Sequence, residues 1–179
     1  TALRGVGNFK GHVSGQGENY RVEGTADSES LRADGVYLKA INVAATVDGT
    51  NSNYIANGTA IAEMLTFDVF RIDFLKLNGN VRGTGTDFRW VGELQAIAAK
   101  SPSLTLGGLF LSDAVAEYKD KQLTAFVGSG RTKKFAIGDT EFEDLRARNL
   151  KFSMPDGVVN VSAASATTGA FVTKDYRLD

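Results

Sequence analysis

Cysteine is absent from the 179 residues, which removes disulfide scaffolds, thiol catalysis and zinc-thiolate sites together and leaves the redox compartment open. Histidine occurs once, as His12, so multi-histidine zinc sites are excluded and a hydrolytic triad would have to rest on that one ring. His12 sits between Gly11 and Val13 in a Gly-rich opening segment, with no serine and acid in a recognisable context, and supports no catalytic assignment. No apolar run approaches the roughly 20 residues of a membrane-spanning helix. Neither sign of charge dominates: 20 Lys and Arg stand against 21 Asp and Glu, which argues against nucleic acid as a partner. Only 2 prolines accompany 20 glycines, a combination that suits many turns joining many strands. The remainder, 42% apolar and 23% charged, is ordinary for a soluble chain of single-domain size.

The chain begins at Thr1 without an initiator methionine or a signal peptide, and it reads as one repetitive segment over 1–179, a fragment of a longer protein. The repeat is explicit. Leu31, Val36, Leu38, Ile41, Val43, Val47 and Gly49 recur 34 positions later as Leu65, Phe70, Ile72, Leu75, Leu77, Val81 and Gly83. A third copy follows at the same interval in Leu104, Leu106, Leu109, Leu111 and Val115. A fourth, Phe142, Leu145 and Ala147, stands 36 positions on, as if two residues were inserted before it. The other half of the unit repeats as Tyr20-x-Val22-x-Gly24-x-Ala26, then Tyr54-x-Ala56-x-Gly58-x-Ala60, then Phe88-x-Trp90-x-Gly92-x-Leu94.

Within each unit the apolar residues alternate, the period of a strand with one wet and one dry face. Links such as 48–53 and 82–87 are too short for a helical crossover and suit antiparallel hairpins with medium-length loops. The apolar spacing widens to three between Leu38 and Ile41 and between Ile72 and Leu75, which predicts a bulge or sharp bend in every unit. Residues 59–65 include helix formers, but the equivalent 25–31 carry Asp27, Ser28 and Ser30, so this stretch reads as the irregular end of a strand. The expected fold is all-β: antiparallel strand repeats of about 34 residues forming an elongated curled sheet with an apolar inner groove.

The pattern in Tyr20 to Ala26 and Leu31 to Val47, with echoes in Leu123 to Gly128 and Val158 to Ala163, resembles the AsmA-like and TamB-like translocation and assembly module proteins of double-membrane bacteria. The resemblance implies a periplasmic segment of a parent anchored in the inner membrane, with its sheet curled into an apolar trough. It implies a role in conducting phospholipid between the inner and outer membranes, or in supporting outer-membrane protein assembly. The implied partners are a phospholipid or other acyl-chain ligand and an outer-membrane barrel protein.

A single-layer sheet has an apolar face that needs a cover, whether another layer, its own curvature or an apolar ligand. Small residues on that face, among them Gly24, Ala26, Ala45, Ala56, Gly58, Ala60 and Gly79, allow a tight bend and leave free volume. The candidate lining is Tyr20, Val22, Ile41, Val43, Val47, Tyr54, Ala56, Leu75, Leu77, Val81, Phe88, Trp90, Leu109, Leu111 and Val115. The same alternation would build the packed core of a β-solenoid, sandwich or adhesin repeat module, and that alternative stays open on pattern alone.

No catalytic, cofactor or metal constellation stands out. Gly128 to Lys134 lacks the Gly-Lys-Thr ending of a phosphate loop and reads as a solvated basic turn. Asp139, Glu141, Glu143 and Asp144 lack calcium-loop spacing and read as a hydrated edge. The expectation is a protein that is not an enzyme.

Overall fold

The structure, a computed structural model, describes residues 4–33, 35–67, 69–120, 122–153, 160–173 and 176–178. Nine long strands follow one another: β1 (Arg4–Gln16), β2 (Asn19–Ala33), β3 (Val36–Thr50), β4 (Asn53–Phe67), β5 (Phe70–Thr84), β6 (Asp87–Lys100), β7 (Leu104–Lys119), β8 (Gln122–Ile137) and β9 (Thr140–Ser153). Short pieces close the chain: β10 (Asn160–Ser162), β11 (Ser165–Thr167), β12 (Ala170–Val172) and β13 (Arg177–Leu178). All 13 belong to one sheet, antiparallel throughout, in sequence order from β1 to β9. β10, β11 and β12 each pair with β9 and together make a tenth strand interrupted twice, while β13 pairs with β12.

The period has a simple origin. Two strands of 15 residues, such as β3 and β4, and the two residues that separate each from the next strand make up the 34-residue unit. The medium-length loops expected at 48–53 and 82–87 are instead tight turns, because the strands run on through Asp48 to Thr50 and Arg82 to Thr84. Gly17, Asn51, Gly85 and Asp120 supply the left-handed residue these turns require. Neighbouring turns are also tied to each other along the rim: the Asn51 amide donates to Glu18 at 3.1 Å and the Gly85 amide to Ser52 at 3.0 Å.

The bend predicted from the widened spacing is present in every unit. Ala40 (φ 48°), Phe74 (52°), Gly108 (64°) and Asp144 (49°) sit at equivalent points of β3, β5, β7 and β9, all in the left-handed region. At each of these points the left-handed residue resets the alternation of faces, so Leu38 and Ile41 share a side despite being three apart. The even strands bend in register with them. In β2 and β8 a hydroxyl side chain takes up backbone carbonyls at the bend: the Ser28 hydroxyl lies 2.7 Å from the Val6 carbonyl and 3.0 Å from that of Ser30. The Thr132 hydroxyl does the same with Gly107 at 2.8 Å and Lys134 at 2.7 Å. Residues 59–65 bend here as part of β4 and form no helical turn.

The crease separates a concave from a convex side. In a one-layer sheet a side chain is buried only where the sheet folds over it. Ile41, Ala62, Leu75 and Ala96, one residue inside the crease, are 4–9% exposed. Phe74 and Ile97 on the outer corner are 56% and 61% exposed.

Candidate functional site

The concave face is built from rows of side chains that run across the strands, because directly opposed residues in antiparallel neighbours project to the same side. The deepest row couples Ser28 to Ile41, Ile41 to Ala62, Ala62 to Leu75, Ala96 to Leu109 and Thr132 to Leu145. Its large members lie on the odd strands and its small ones on the even strands, an alternation that lets the folded sheet close without voids at the bend.

The next row runs without interruption through Ala26, Val43, Ala60, Leu77, Leu94, Leu111, Gly130 and Ala147. Beyond it lies a stripe of minimal side chains: Gly11, Gly24, Ala45, Gly58, Gly79, Gly92 and Ala114. Here the backbones approach closely. A Cβ on Gly58 would collide with the Ala44 carbonyl oxygen and lie 2.7 Å from the Ala45 Cα, and one on Gly92 would lie 2.8 Å from the Gly79 Cα.

Two outer rows finish this wall. Val22, Val47, Ala56, Val81, Trp90 and Ala116 form the first. Tyr20, Gly49, Tyr54, Gly83, Phe88 and Tyr118 form the second, in which Phe88 stacks on Tyr118 with ring centroids 5.7 Å apart. On the other side of the crease the facing wall is Leu31, Leu38, Leu65, Ile72, Ala99, Leu106, Phe135, Phe142 and Phe171.

Fourteen of the fifteen lining residues singled out in the sequence therefore share one face. The exception is Val115, which the structure moves to the convex side opposite Val91 and Phe126. The cause is an extra residue inside β7: the register with β6 shifts between Gly92 and Leu94, and Asp113 takes φ 51°. The position equivalent to Val81 is thus Ala116, which faces Trp90. The extra residue is matched in β8, where Gly128 lies against Asp113, and these two additions account for the change from 34 to 36. One of the two added residues, at Asp113, thus lies before Val115 and the other, at Gly128, after it.

Other expectations are corrected as well. Gly128 to Lys134 is the interior of β8 and not a turn, with Gly130 and Thr132 at inward positions opposite Ala147 and Leu145. Glu141 is ion-paired with Lys134, and Glu143 receives the Arg177 guanidinium at 3.0 and 3.1 Å, so half of the acidic cluster is neutralised across the sheet. Val158 lies outside the described residues.

None of the residues named in these rows is charged. Among the described strands, charged side chains lie on the convex side and at the corner, in cross-strand pairs such as Arg21 with Asp48, Lys39 with Glu63 and Arg89 with Glu117, each at 2.9 Å. The hydrogen bond that the Lys39 ammonium donates to the Glu63 carboxylate raises the Lys39 pKa, an exposed effect without consequence for the concave face. Burial raises the Tyr54 pKa, with a smaller contribution from Tyr20, which marks this rim as partly withdrawn from water. The rows of the concave face can hold apolar chains and, among the described residues, offer no charged group to a polar headgroup.

The whole molecule exposes 11,704 Å², whereas a compact monomer of 19.1 kDa would expose roughly 8,400 Å². The excess is the signature of an open sheet with no second layer. No family model, curated protein or solved structure matches the chain.

Proposed function

We propose that the concave face binds the acyl chains of phospholipid, and that the chain is a segment of a periplasmic β-groove protein conducting lipid between two membranes, without enzymatic activity. The observation that carries this reading is the uncovered apolar face: six rows without a charged side chain, on a molecule far more open than its mass requires. Apolar surface of this extent is stabilised only by removal from water, at about 25 cal/mol per Å², and an acyl chain supplies that cover without hydrogen-bonding demands. The resemblance to AsmA-like and TamB-like proteins points the same way, and support of outer-membrane protein assembly beside a barrel partner belongs to the same reading.

The antiparallel order favours a groove over a solenoid, whose coils would stack in parallel. A sandwich would place a second sheet on the concave face, and all described strands belong to one sheet. Native mass spectrometry of the protein isolated from bacterial membranes tests the proposal. Co-purifying phospholipid is the expected result, and a lipid-free, monodisperse particle would overturn it.

A further inference from the structure

The crease does not divide the strands evenly. In β3 the four residues Val36 to Lys39 precede Ala40 and the ten from Ile41 to Thr50 follow it, and Phe74 divides β5 in the same proportion. At about 3.3 Å per residue, the wall that starts at Ile41 rises roughly 30 Å from the crease and the facing wall only about 13 Å.

The two walls also end differently. On the tall wall the apolar rows from Ile41 to Val47 span six residue steps, about 20 Å. The next row out carries Tyr20, Tyr54 and Tyr118. Beyond it the strands end in polar pairs, in which the Thr50 hydroxyl donates to Asn19 Oδ1 and the Thr84 hydroxyl to Asn53 Oδ1, each at 2.6 Å. The short wall stays apolar to its edge, where Val36 stands opposite Phe67 and Phe67 opposite Phe70. Val69, just beyond them, is 55% exposed.

This succession of surfaces follows the profile of one lipid leaflet. A leaflet supplies half of a hydrocarbon core of about 30 Å, so its chains occupy roughly 15 Å along their axis. Tyrosine collects at the level of the headgroups, because its ring is apolar and its hydroxyl wet. The tall wall is long enough for such a chain and carries a tyrosine row at its far end. The short wall is too short for it, and its edge row in β3 to β5 offers only aliphatic and aromatic side chains.

We infer that phospholipid lies against the tall wall with its acyl chains along the strands, their methyl ends at the crease, and its headgroup at the rim formed by Tyr20, Tyr54 and Tyr118. Lipids held in this way move side by side across the strands, and every headgroup leaves the groove over the same rim. The inference rests on the reading of the concave face as a phospholipid site and adds the orientation of the ligand within it.

Trp90 is the reporter, since it is the only tryptophan and lies in the row of Val81, one row inside the rim. The full chain is loaded from vesicles of phosphatidylcholine brominated either near the ester end or near the methyl end of its acyl chains, and is then separated from the vesicles. Bromine near the ester end is expected to quench Trp90 fluorescence at least twice as strongly as bromine near the methyl end. In a chain carrying Trp90→Phe and Leu77→Trp, with the indole two rows closer to the crease, the order should reverse. The comparison at Trp90 in the unaltered chain decides the matter even where that variant fails to fold. Equal quenching from both positions, as chains lying along the trough would give, or the opposite order at Trp90 would overturn the inference and leave phospholipid in the groove. No quenching by either lipid would overturn the phospholipid reading itself, and the inference with it.

Discussion

The ring and hydroxyl of Tyr20 fill the space where Gly49, directly opposite on β3, would carry a side chain, and Tyr54 stands in the same relation to Gly83. An aromatic on one strand and a glycine on the next thus make one packing unit, repeated after 34 residues. Gly49→Ala or Gly83→Ala should push the ring away from the sheet and lower stability by about 1–3 kcal/mol. In urea unfolding, Gly49→Ala in a Tyr20→Ala background should cost much less than it does alone. Equal costs in both backgrounds would show that the ring and the glycine are unrelated.

The crease makes a prediction of opposite sign. Ala40 holds φ 48°, a conformation that costs an ordinary L-residue roughly 1–2 kcal/mol. Replacement by glycine returns that strain against an entropy loss of roughly 0.5–1 kcal/mol. Ala40→Gly should therefore stabilise the protein by about 0.5–1 kcal/mol. The reverse change two units on, at Gly108 (φ 64°), should destabilise as Gly108→Ala. A destabilising Ala40→Gly in thermal or urea unfolding would contradict the geometry assigned to the bend.

The partial burial of Tyr54 has a consequence at alkaline pH. Its folded pKa lies above the ordinary tyrosine value of about 10 because the phenolate would be poorly solvated. A group whose pKa is raised by folding contributes stability that is intact below the unfolded value and lost as pH rises through the folded one. Stability should thus decline above pH of about 10 in the parent protein, and Tyr54→Phe should remove part of that decline. Identical alkaline profiles for the two proteins would place the Tyr54 hydroxyl in water.

The strands, their order and the bend were legible because each follows from a local rule applied at a constant interval. Ile41, Val43 and Val47 announce one face by period two, and the step of three before Ile41 marks the crease. Val115 failed because it was placed by counting 34 from Val81, and a count is blind to an extra residue in the same strand. A signal was available in the sequence: Ala114, Ala116 and Tyr118 continue the small, small, aromatic order of the inward rows, one position later than the count. Turn length was misjudged for another reason. Polar residues such as Asp48, Thr50, Asn53 and Arg82 look like loop, yet they occupy the hydrated ends of strands whose backbone ladder does not depend on them.

The structure also separates two substitutions that the sequence made equivalent. Gly58 and Ala56 are both small residues of the concave face, but a side chain on Gly58 would strike the backbone of β3, whereas Ala56 already projects a Cβ between Val47 and Val81. Ala56→Trp should leave the unfolding transition within about 1 kcal/mol of the parent, since an open face has room for it. It should also obstruct lipid movement between donor and acceptor vesicles. Gly58→Trp should instead destabilise by more than about 3 kcal/mol and report nothing about the groove. A stable Gly58→Trp, or a strongly destabilised Ala56→Trp, would mean that the walls are packed differently.

Crosslinking resolved by face tests the central claim most directly. A photoreactive residue is placed at inward Leu77 or Val81, or at outward Lys76 or Val115, and the protein is irradiated in cells. The account predicts phospholipid adducts at 77 and 81 and none at 76 and 115, the last being decisive because its face was settled only by the bulge at Asp113. Adducts distributed equally over both faces, or none at Leu77 and Val81, would contradict it.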